Sequence, residues 1–368
     1  HNVMEDIMSG VFSPCIVYKN DEPVEFSAVP LTMYNMESNV QDNVHADRNI
    51  SYDCNENSAP LYRIENLPSI SAVLQSFYEK KNNITRIRQR SADLRQIVNT
   101  ALERNNKKYD LQLKQLADTE KREKYRIYGE LLNVYGYDIP EGAKSFEALN
   151  YYTNEMITIP LDSQLDAKGN AQKYFDRYNK LKRTYEALIK LTEETKTEIE
   201  HLESISTALD IALTEDDLVQ IKEELIEFGY IKRKKTDKKA KIKSKPFHYR
   251  SSDGYDIYVG KNNYQNDELT FKFATGNDWW FHAKDLPGSH VIVKAENKEL
   301  PDSTFEEAAR LAAHYSKASK QEKVDVDYIQ KKHIKKPAAA KPGFVIYHTN
   351  YSMTIDNDPH KMGTLIEE

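Results

Sequence analysis

Residues 174–209 read YFDRYNKLKRTYEALIKLTEETKTEIEHLESISTAL, and this stretch decides the fold of the chain. Its mostly apolar seam residues recur in alternating steps of four and three, which is the spacing of a coiled-coil helix. The seam also contains two threonines and a serine, so it is not uniformly apolar. Its members are Tyr174, Tyr178, Leu181, Tyr185, Leu188, Thr192, Thr195, Ile199, Leu202, Ser206 and Leu209.

A second long helix is predicted upstream, because no Pro or Gly interrupts residues 69–128. Its stripe residues fall seven apart as far as Val98, and the apolar stripe then drifts. Neither helix can bury its stripe alone, so we expect a long antiparallel coiled-coil hairpin over residues 67–231. The stripe is Ile70, Phe77, Ile84, Ser91 and Val98, flanked by Ile87, Leu94 and Ala101, and then Leu102, Tyr109, Leu113 and Leu116.

The reversal of this hairpin, about residues 129–169, is too rich in structure signals to be a simple loop. It carries several tyrosines, the turn signal Ile139-Pro140-Glu141-Gly142 and a strand-like run at 156–159. We expect a small folded tip subdomain here. Such a tip suits contact with a distant partner, and a knot that only closes the hairpin is the alternative.

The composition is polar, with 30% charged and 39% hydrophobic residues and a mean hydropathy of -0.75. This is too polar for one compact globule and too aromatic for a disordered chain. No apolar run approaches the length of a membrane span, about 18 residues, and no signal-peptide pattern is visible. Cys15 and Cys54 show neither metal-ligand spacing nor a disulfide framework, which fits a reducing, cytoplasmic setting.

The predicted fold class is α+β, and we expect a fragment of a longer protein. Residues 1–66 are predicted to form a small β-rich segment, and 232–246 a Lys-rich linker. Residues 247–360 are predicted to form a compact α+β domain, and 361–368 a tail. Capping-box signals mark helix starts at 214–217 and 303–306.

The block DWWFHAKDLPGSHVIVK, residues 278–294, combines aromatic and charged residues around a Pro-Gly turn. Aromatic faces beside cations suit a nucleic-acid backbone and its bases. The alternative is a hairpin with core aromatics and solvated charges. The block holds the residue types of a hydrolytic triad but no nucleophile elbow, so we expect no catalytic site, and neither a metal nor another cofactor.

The net charge of -6 hides two basic runs on either side of this block. Nine of the fourteen residues from 232 to 245 are Lys or Arg, and the second run is KKHIKKPAAAK, residues 331–341. A polyanion partner is favoured, with a solvated linker as the alternative for the first run. The motif GKNNYQND, residues 260–267, lacks phosphate-loop spacing and is interpreted as a hydrogen-bonding loop or an Asn-rich turn.

Several ordered motifs resemble the C-terminal NFACT-R domain of the RqcH/NEMF (NFACT) family, whose bacterial members are often labelled fibronectin-binding protein A. They are GKNNYQND, WFHAKDLPGSHVIV (280–293), AARLAAHYSKA (308–318), KVDVDY (323–328) and KKPAAAKPGFVIY (335–347). Upstream, PVEFSAVPL (23–31), KYRIYGELL (124–132) and NAQKYFDRYNKLKR (170–183) resemble the family's middle region and coiled coil. The resemblance covers nearly the whole chain.

The resemblance implies a cytoplasmic, ribosome-associated quality-control factor that supports alanine tailing of stalled nascent chains. The implied partners are the large ribosomal subunit, through rRNA and a stalk-base protein, and tRNA, with no membrane. Peptidyl transfer would belong to the ribosome, so we expect no enzyme. The family's N-terminal NFACT-N domain is expected to be absent, which would leave ribosome binding without tail elongation.

The expected RNA-binding residues are Lys261, Asn262, Asn263, Trp280, His282, Lys284, Asp285, Ser289, His290, Lys335, Lys336 and Lys341. Trp279 and Phe281 are expected to build the core instead. The expected ribosome-contacting residues at the arm tip are Tyr125, Arg126 and Tyr128. Two other functions stay open: a surface-displayed adhesin that binds fibronectin, although no export signal is visible, and a coiled-coil scaffold that binds proteins.

Overall fold

The computed structural model describes residues 7–10, 12–19, 22–29, 31, 62–233, 244–358 and 361–366. Most of the predicted Lys-rich linker, residues 234–243, lies outside the described residues. The chain divides into two compact units, one of His1–Asn99 with Glu203–Glu368 and the other of Thr100–Leu202. The predicted combination of long paired helices with a C-terminal α+β domain is confirmed.

The coiled coil is built from α1 (Ile70–Asp118) and α3 (Ala167–Ile211), and both helices run through both units. In sequence, α2 (Arg122–Tyr135) lies between them and α4 (Glu215–Glu227) follows α3. In the first unit, Arg95 donates to Asp210 and to the Leu209 carbonyl, while Asn83 donates to the Leu213 carbonyl. Partner numbers fall as α1 numbers rise, so the pairing is antiparallel. All the predicted seam residues of α3 are buried or half-buried.

The buried row of α1 differs from the prediction beyond Val98. The seven-residue spacing continues through Asn105 and Gln112 to Thr119, and all three are buried. Leu113, which the drifting apolar stripe included, is 41% exposed. In a regular coiled coil every seventh residue returns to the seam, whatever its type. The fully buried seam positions of this segment are therefore occupied by polar residues.

The tip predicted within residues 129–169 is a folded part of the second unit. Strands β4 (Ser145–Asn150) and β5 (Glu155–Pro160) form an antiparallel hairpin. This hairpin packs with α2 and the start of α3 around a small apolar core. The fully packed members of that core are Tyr128, Leu131, Leu132, Ala148, Ile159 and Ala171.

The N-terminal strands of the first unit are β1 (Cys15–Lys19), β2 (Glu22–Ser27) and β3 (Tyr62–Asn66), in the order β2-β1-β3. This sheet shares its core with the start of α1. Ile16 and Tyr18 pack with Val73 and Phe77, and Lys80 donates to the Tyr18 hydroxyl over 2.9 Å. The small sheet therefore stands against the coiled coil instead of forming a core of its own.

The C-terminal domain is a seven-stranded antiparallel sheet in the order β11-β10-β8-β9-β7-β6-β12. The domain contains the short helix α5 (Asn263–Glu268) and helix α6 (Asp302–His314). Helix α6 packs on one face of the sheet, and a second core cluster forms on the other. The strands are β6 (Phe247–Arg250), β7 (Asp256–Val259), β8 (Trp279–Ala283), β9 (Val291–Val293), β10 (Lys323–Gln330), β11 (Tyr351–Asp356) and β12 (Thr364–Ile366).

Two details differ from the sequence interpretation, and one agrees. Strand β12 lies in the predicted tail, where it pairs with the otherwise open edge of β6. Helix α6 begins at Asp302, after Pro301, without the side-chain cap expected at 303–306. The other capping box is confirmed, because Thr214 and Asp217 exchange the predicted hydrogen bonds at the start of α4.

Replacing Gln112 by leucine is expected to stabilise the arm. Its side-chain oxygen Oε1 is buried without a hydrogen-bond partner among the described residues. Removing a buried unsatisfied polar atom relieves a desolvation penalty of about 1–3 kcal/mol. Urea denaturation should show a higher unfolding free energy for Gln112→Leu.

The matched control is Gln115→Leu, because Gln115 is exposed on the same helix. It should leave the unfolding free energy unchanged within about 0.5 kcal/mol. A loss of stability in Gln112→Leu would contradict the interpretation of the buried polar row.

Candidate nucleic-acid interface

The aromatic block forms β8, the reversing segment and β9 in the interior of the sheet, where both faces are covered. Side chains alternate between faces along a strand, so Phe281 packs in the α6-side core and Trp280 in the opposite cluster. Both are fully buried. Trp279 is half-buried against Phe305, with ring centroids 4.8 Å apart. The core role expected for Phe281 agrees with its burial, whereas the Trp280 indole has no surface for stacking on a base.

The histidines of the block surround Trp280. The His290 ring lies 5.1 Å and the His282 ring 5.5 Å from it, and His290 Nδ1 is 2.7 Å from the Thr270 hydroxyl. Burial lowers the pKa of His282 to about 4, and burial with the neighbouring His282 lowers that of His290 well below 6.5. Both rings are neutral at pH 7, so neither offers a positive charge to a phosphate.

The predicted RNA-binding residues do not converge on one surface. Asn262, Asn263 and Ser289 are buried, and the Lys261 side chain is only 11% exposed, with its ammonium 3.4 Å from Asp217. Lys341 is half-buried, its ammonium 5.4 Å from the Phe228 ring. The remaining members, Lys284, Asp285, Lys335 and Lys336, are exposed.

Even the exposed lysines lie at different ends of the sheet. Lys284 follows the last residue of β8, while the Lys331 amide donates to the Asp278 carbonyl just before its first residue. A five-residue strand separates these points by about 15 Å. The segment 331–336 therefore belongs to a different surface from Lys284.

That segment contributes the expected Lys335 and Lys336 to a basic–aromatic surface whose other members were not among the expected RNA-binding residues. The Lys332 amide donates to the carbonyl of Gly276, three residues after the turn Leu269–Phe273. Phe273 is 40% exposed, and the Lys294 ammonium lies 4.9 Å from its ring centroid. We define the basic–aromatic surface as Phe271, Lys272, Phe273, Lys332, His333, Lys335 and Lys336.

These residues combine solvated cations with the exposed ring of Phe273, while Phe271 is half-buried against the core cluster of Trp280. Lys272 and Lys332 are exposed, while Lys336 is held by both oxygens of Asp267 at 2.7 Å and lies 5.8 Å from the Phe271 ring. Phosphate neutralisation and base stacking need these two groups together. The sequence signal for this surface was the run FKF at 271–273. It was not singled out because the block 278–294 is richer in aromatic and charged residues.

The expected tip residues are largely engaged within the tip. Tyr128 is a core residue, and Arg126 donates to Glu123 and Glu130, which raise its pKa together with the Tyr152 hydroxyl. Tyr125 stacks on Tyr174 at 6.0 Å. The accessible apolar side chains of the tip are instead Val134, Tyr137, Leu149, Tyr151, Tyr152, Met156 and Leu165.

Across the described part of the chain, no cluster of His, Cys, Asp or Glu has an arrangement that could hold a metal ion. Within the same residues, no helix combines the length and apolarity needed to cross a membrane.

Comparison with known proteins divides the chain at the same place as the Lys-rich linker. A family model described as NFACT N-terminal and middle domains matches residues 1–244, and one described as NFACT protein RNA binding domain matches residues 245–349. The expectation that the NFACT-N domain is absent is therefore not borne out.

The curated relatives include the Rqc2 homolog RqcH of Streptococcus suis, 43% identical over 82% of the chain and 55% of the relative. The Rqc2 homolog RqcH of Bacillus subtilis is 37% identical over 79% of the chain and 51% of the relative. The chain thus spans about half the length of these relatives.

A solved structure is also similar. It is the C-terminal part of the fibronectin/fibrinogen-binding protein from Streptococcus suis, 40% identical, with a TM-score of 0.59. The match covers 75% of the chain and 98% of that structure.

The neutral histidines predict a pH dependence of stability. Because the folded-state pKa of His282 is about 4 and the unfolded value is about 6.5, the unfolded state binds more protons between these pH values. The unfolding free energy should therefore be highest above about pH 6.5. It should decrease as the pH falls from 6.5 towards 4. Thermal denaturation across this range measures the decline.

The variant His282→Gln should reduce this decline, since it removes one of the titrating groups. His333→Gln, at an exposed histidine, should leave it unchanged. Equal declines in the parent chain and His282→Gln would refute the assignment.

Proposed function

The chain belongs to the NFACT family, and from that premise we propose that it acts in ribosome-associated quality control by binding RNA of the large ribosomal subunit. The observation that carries the proposal is the match of residues 245–349 to the family's RNA-binding domain together with the basic–aromatic surface within them. Lysines there would neutralise phosphates, and the exposed ring of Phe273 would stack on a base.

The finer steps of the proposal concern the whole protein. We propose that the whole protein also binds tRNA and supports alanine tailing, as the family resemblance implies. This chain spans about half the length of its RqcH relatives. In this proposal the chain binds and positions RNA in the cytoplasm, and the ribosome itself carries out peptidyl transfer. The tip would contact rRNA and protein at the stalk base.

RNA binding should depend steeply on salt, with a log–log slope set by the number of neutralised phosphates. Lys272→Ala and Lys332→Ala should each weaken binding and reduce the slope by about 0.7–0.9. The measurement is fluorescence anisotropy with labelled RNA at several salt concentrations. Lys320→Ala, at an exposed lysine in the turn after α6, is the matched control. Salt-insensitive binding, or no binding to RNA or large subunits, would refute the proposed function.

The tip is expected to contribute to subunit binding through its exposed aromatics. Tyr137 is 81% exposed, so Tyr137→Ala should leave thermal stability unchanged. If it is an interface anchor, truncation should weaken large-subunit binding about tenfold or more, as measured by cosedimentation.

Leu111→Ala is the control for this experiment, because Leu111 is 56% exposed on the α1 segment of the same unit. Equal binding by the parent chain and both variants would exclude Tyr137 as a contact.

Fibronectin binding is the second candidate function, favoured by the similarity to the Streptococcus suis protein. Cell fractionation and binding to immobilised fibronectin distinguish the candidates. If the protein is found only in the cytosol and does not bind immobilised fibronectin, this second candidate function is refuted. Ribonuclease-treated pull-downs separate RNA binding from a pure scaffold, which should keep its partners.

A further inference from the structure

Helix α4 presents a polar face to the motif GKNNYQND. Four residues of the helix recur in steps of three, four and three, so they share one side. A different side of the helix is apolar and buried. The polar face consists of Asp217, Gln220, Glu224 and Glu227, and the apolar side of Leu218, Ile221 and Leu225.

The first half of the motif meets the first half of this face. The Lys261 ammonium lies 3.4 Å from Asp217 Oδ1. Asn262 Nδ2 donates to Gln220 Oε1 over 2.8 Å, and Gln265 Nε2 donates to the same oxygen over 3.0 Å. Two amides and one cation of the motif are thus satisfied by α4.

The second half continues in the same order. Asn263 Nδ2 donates to Glu224 Oε1 and to the Ser204 hydroxyl at the end of α3, both over 2.8 Å. The Tyr264 hydroxyl donates to Glu227 Oε2 over 2.5 Å. Burial and this carboxylate raise the pKa of Tyr264 above its usual value.

The direction of these hydrogen bonds is uniform. Every donor lies on the motif, as an ammonium, an amide N–H or a phenol, and every acceptor on α4 is an oxygen, mostly of a carboxylate. Ammonium, amide and hydroxyl donors also contact the phosphate and sugar oxygens of nucleic acids. The polar face of α4 therefore presents to the motif the kind of acceptors that an RNA backbone presents.

The contact region holds a small cavity beside its buried polar side chains. A cavity of about 10 Å³, enough for about one water molecule, adjoins the motif between Asn263, the end of α3 and Ser289. The Ser289 hydroxyl is buried with no hydrogen-bond partner in the part of the chain that the structure describes. Helix α4 and the motif lie in the same compact unit, so undocking would be a local opening within that unit.

We propose that α4 is an internal competitor of RNA: its acidic face covers the motif, and RNA phosphates bind Lys261 and its neighbours after α4 undocks. The inference rests on the proposed RNA-binding function and adds a second, covered RNA site to the exposed basic–aromatic surface. RNA binding at the covered site and docking of α4 exclude each other.

The test removes acceptors from α4 and leaves the motif intact. The double variant Gln220→Ala/Glu227→Ala spares Asp217, which caps the helix. If the undocked fraction rises from about one tenth towards one, the affinity of the covered site rises about tenfold. The measurement is anisotropy with a labelled single-stranded RNA, and hydrogen exchange of residues 261–266 reports undocking in the same samples.

Asp216→Ala is the matched control, because it removes a negative charge from an exposed position of α4. It should change neither the RNA affinity nor the exchange rates. If the double variant stays docked, Glu224→Lys is the second undocking variant, because it places a cation against the donors of the motif. Asp216→Lys is its control, because it adds the same charge at an exposed position.

The outcomes separate the two hypotheses. A rise in RNA affinity that accompanies faster exchange, beyond that of the controls, supports the competitor. Unchanged or weaker RNA binding by both undocking variants overturns it and makes α4 a fixed support. If neither the parent chain nor any variant binds RNA, the proposed function itself fails.

Discussion

A long amphipathic helix cannot bury its seam alone, and the rest of this structure depends on that constraint. It forces α1 against α3 in antiparallel order. The small N-terminal sheet then completes its core on α1 through Ile16 and Tyr18, and the end of α3 leads into α4. The same constraint keeps Asn105 and Gln112 at buried positions, since the seam continues in register across polar residues.

In the C-terminal domain, the residues that build the core differ from those that are accessible to a partner. Its most distinctive block lies on central strands covered on both faces, so Trp280 and His290 are structural. Chemistry available to RNA lies in the segments that cover the sheet, at Lys272, Phe273 and Lys332. Family membership and the accessible surface thus point to the same domain, but apart from Lys335 and Lys336 the accessible residues differ from those the motifs favoured.

Local periodicity made the coiled coil predictable from sequence, and the capping box at Thr214 was equally local. The burial of Trp280 was not predictable in this way, because it depends on which distant segments cover the second face of the sheet. Gln112 was missed because hydrophobicity marks a buried seam only where the seam is apolar. The residues of GKNNYQND were recognised as hydrogen-bonding, but their partners on α4 lie about forty positions away.

The two carboxylate oxygens of Asp217 link the start of α4 to the C-terminal domain. Oδ2 accepts from the backbone amides of Leu213 and Thr214, while Oδ1 accepts from the Ser244 hydroxyl and lies near Lys261. Fraying of the first turn of α4 would therefore loosen the C-terminal domain, and release of the domain would weaken the turn. By thermodynamic reciprocity, whatever stabilises the contacts of Oδ1 would also stabilise the helix start that Oδ2 holds.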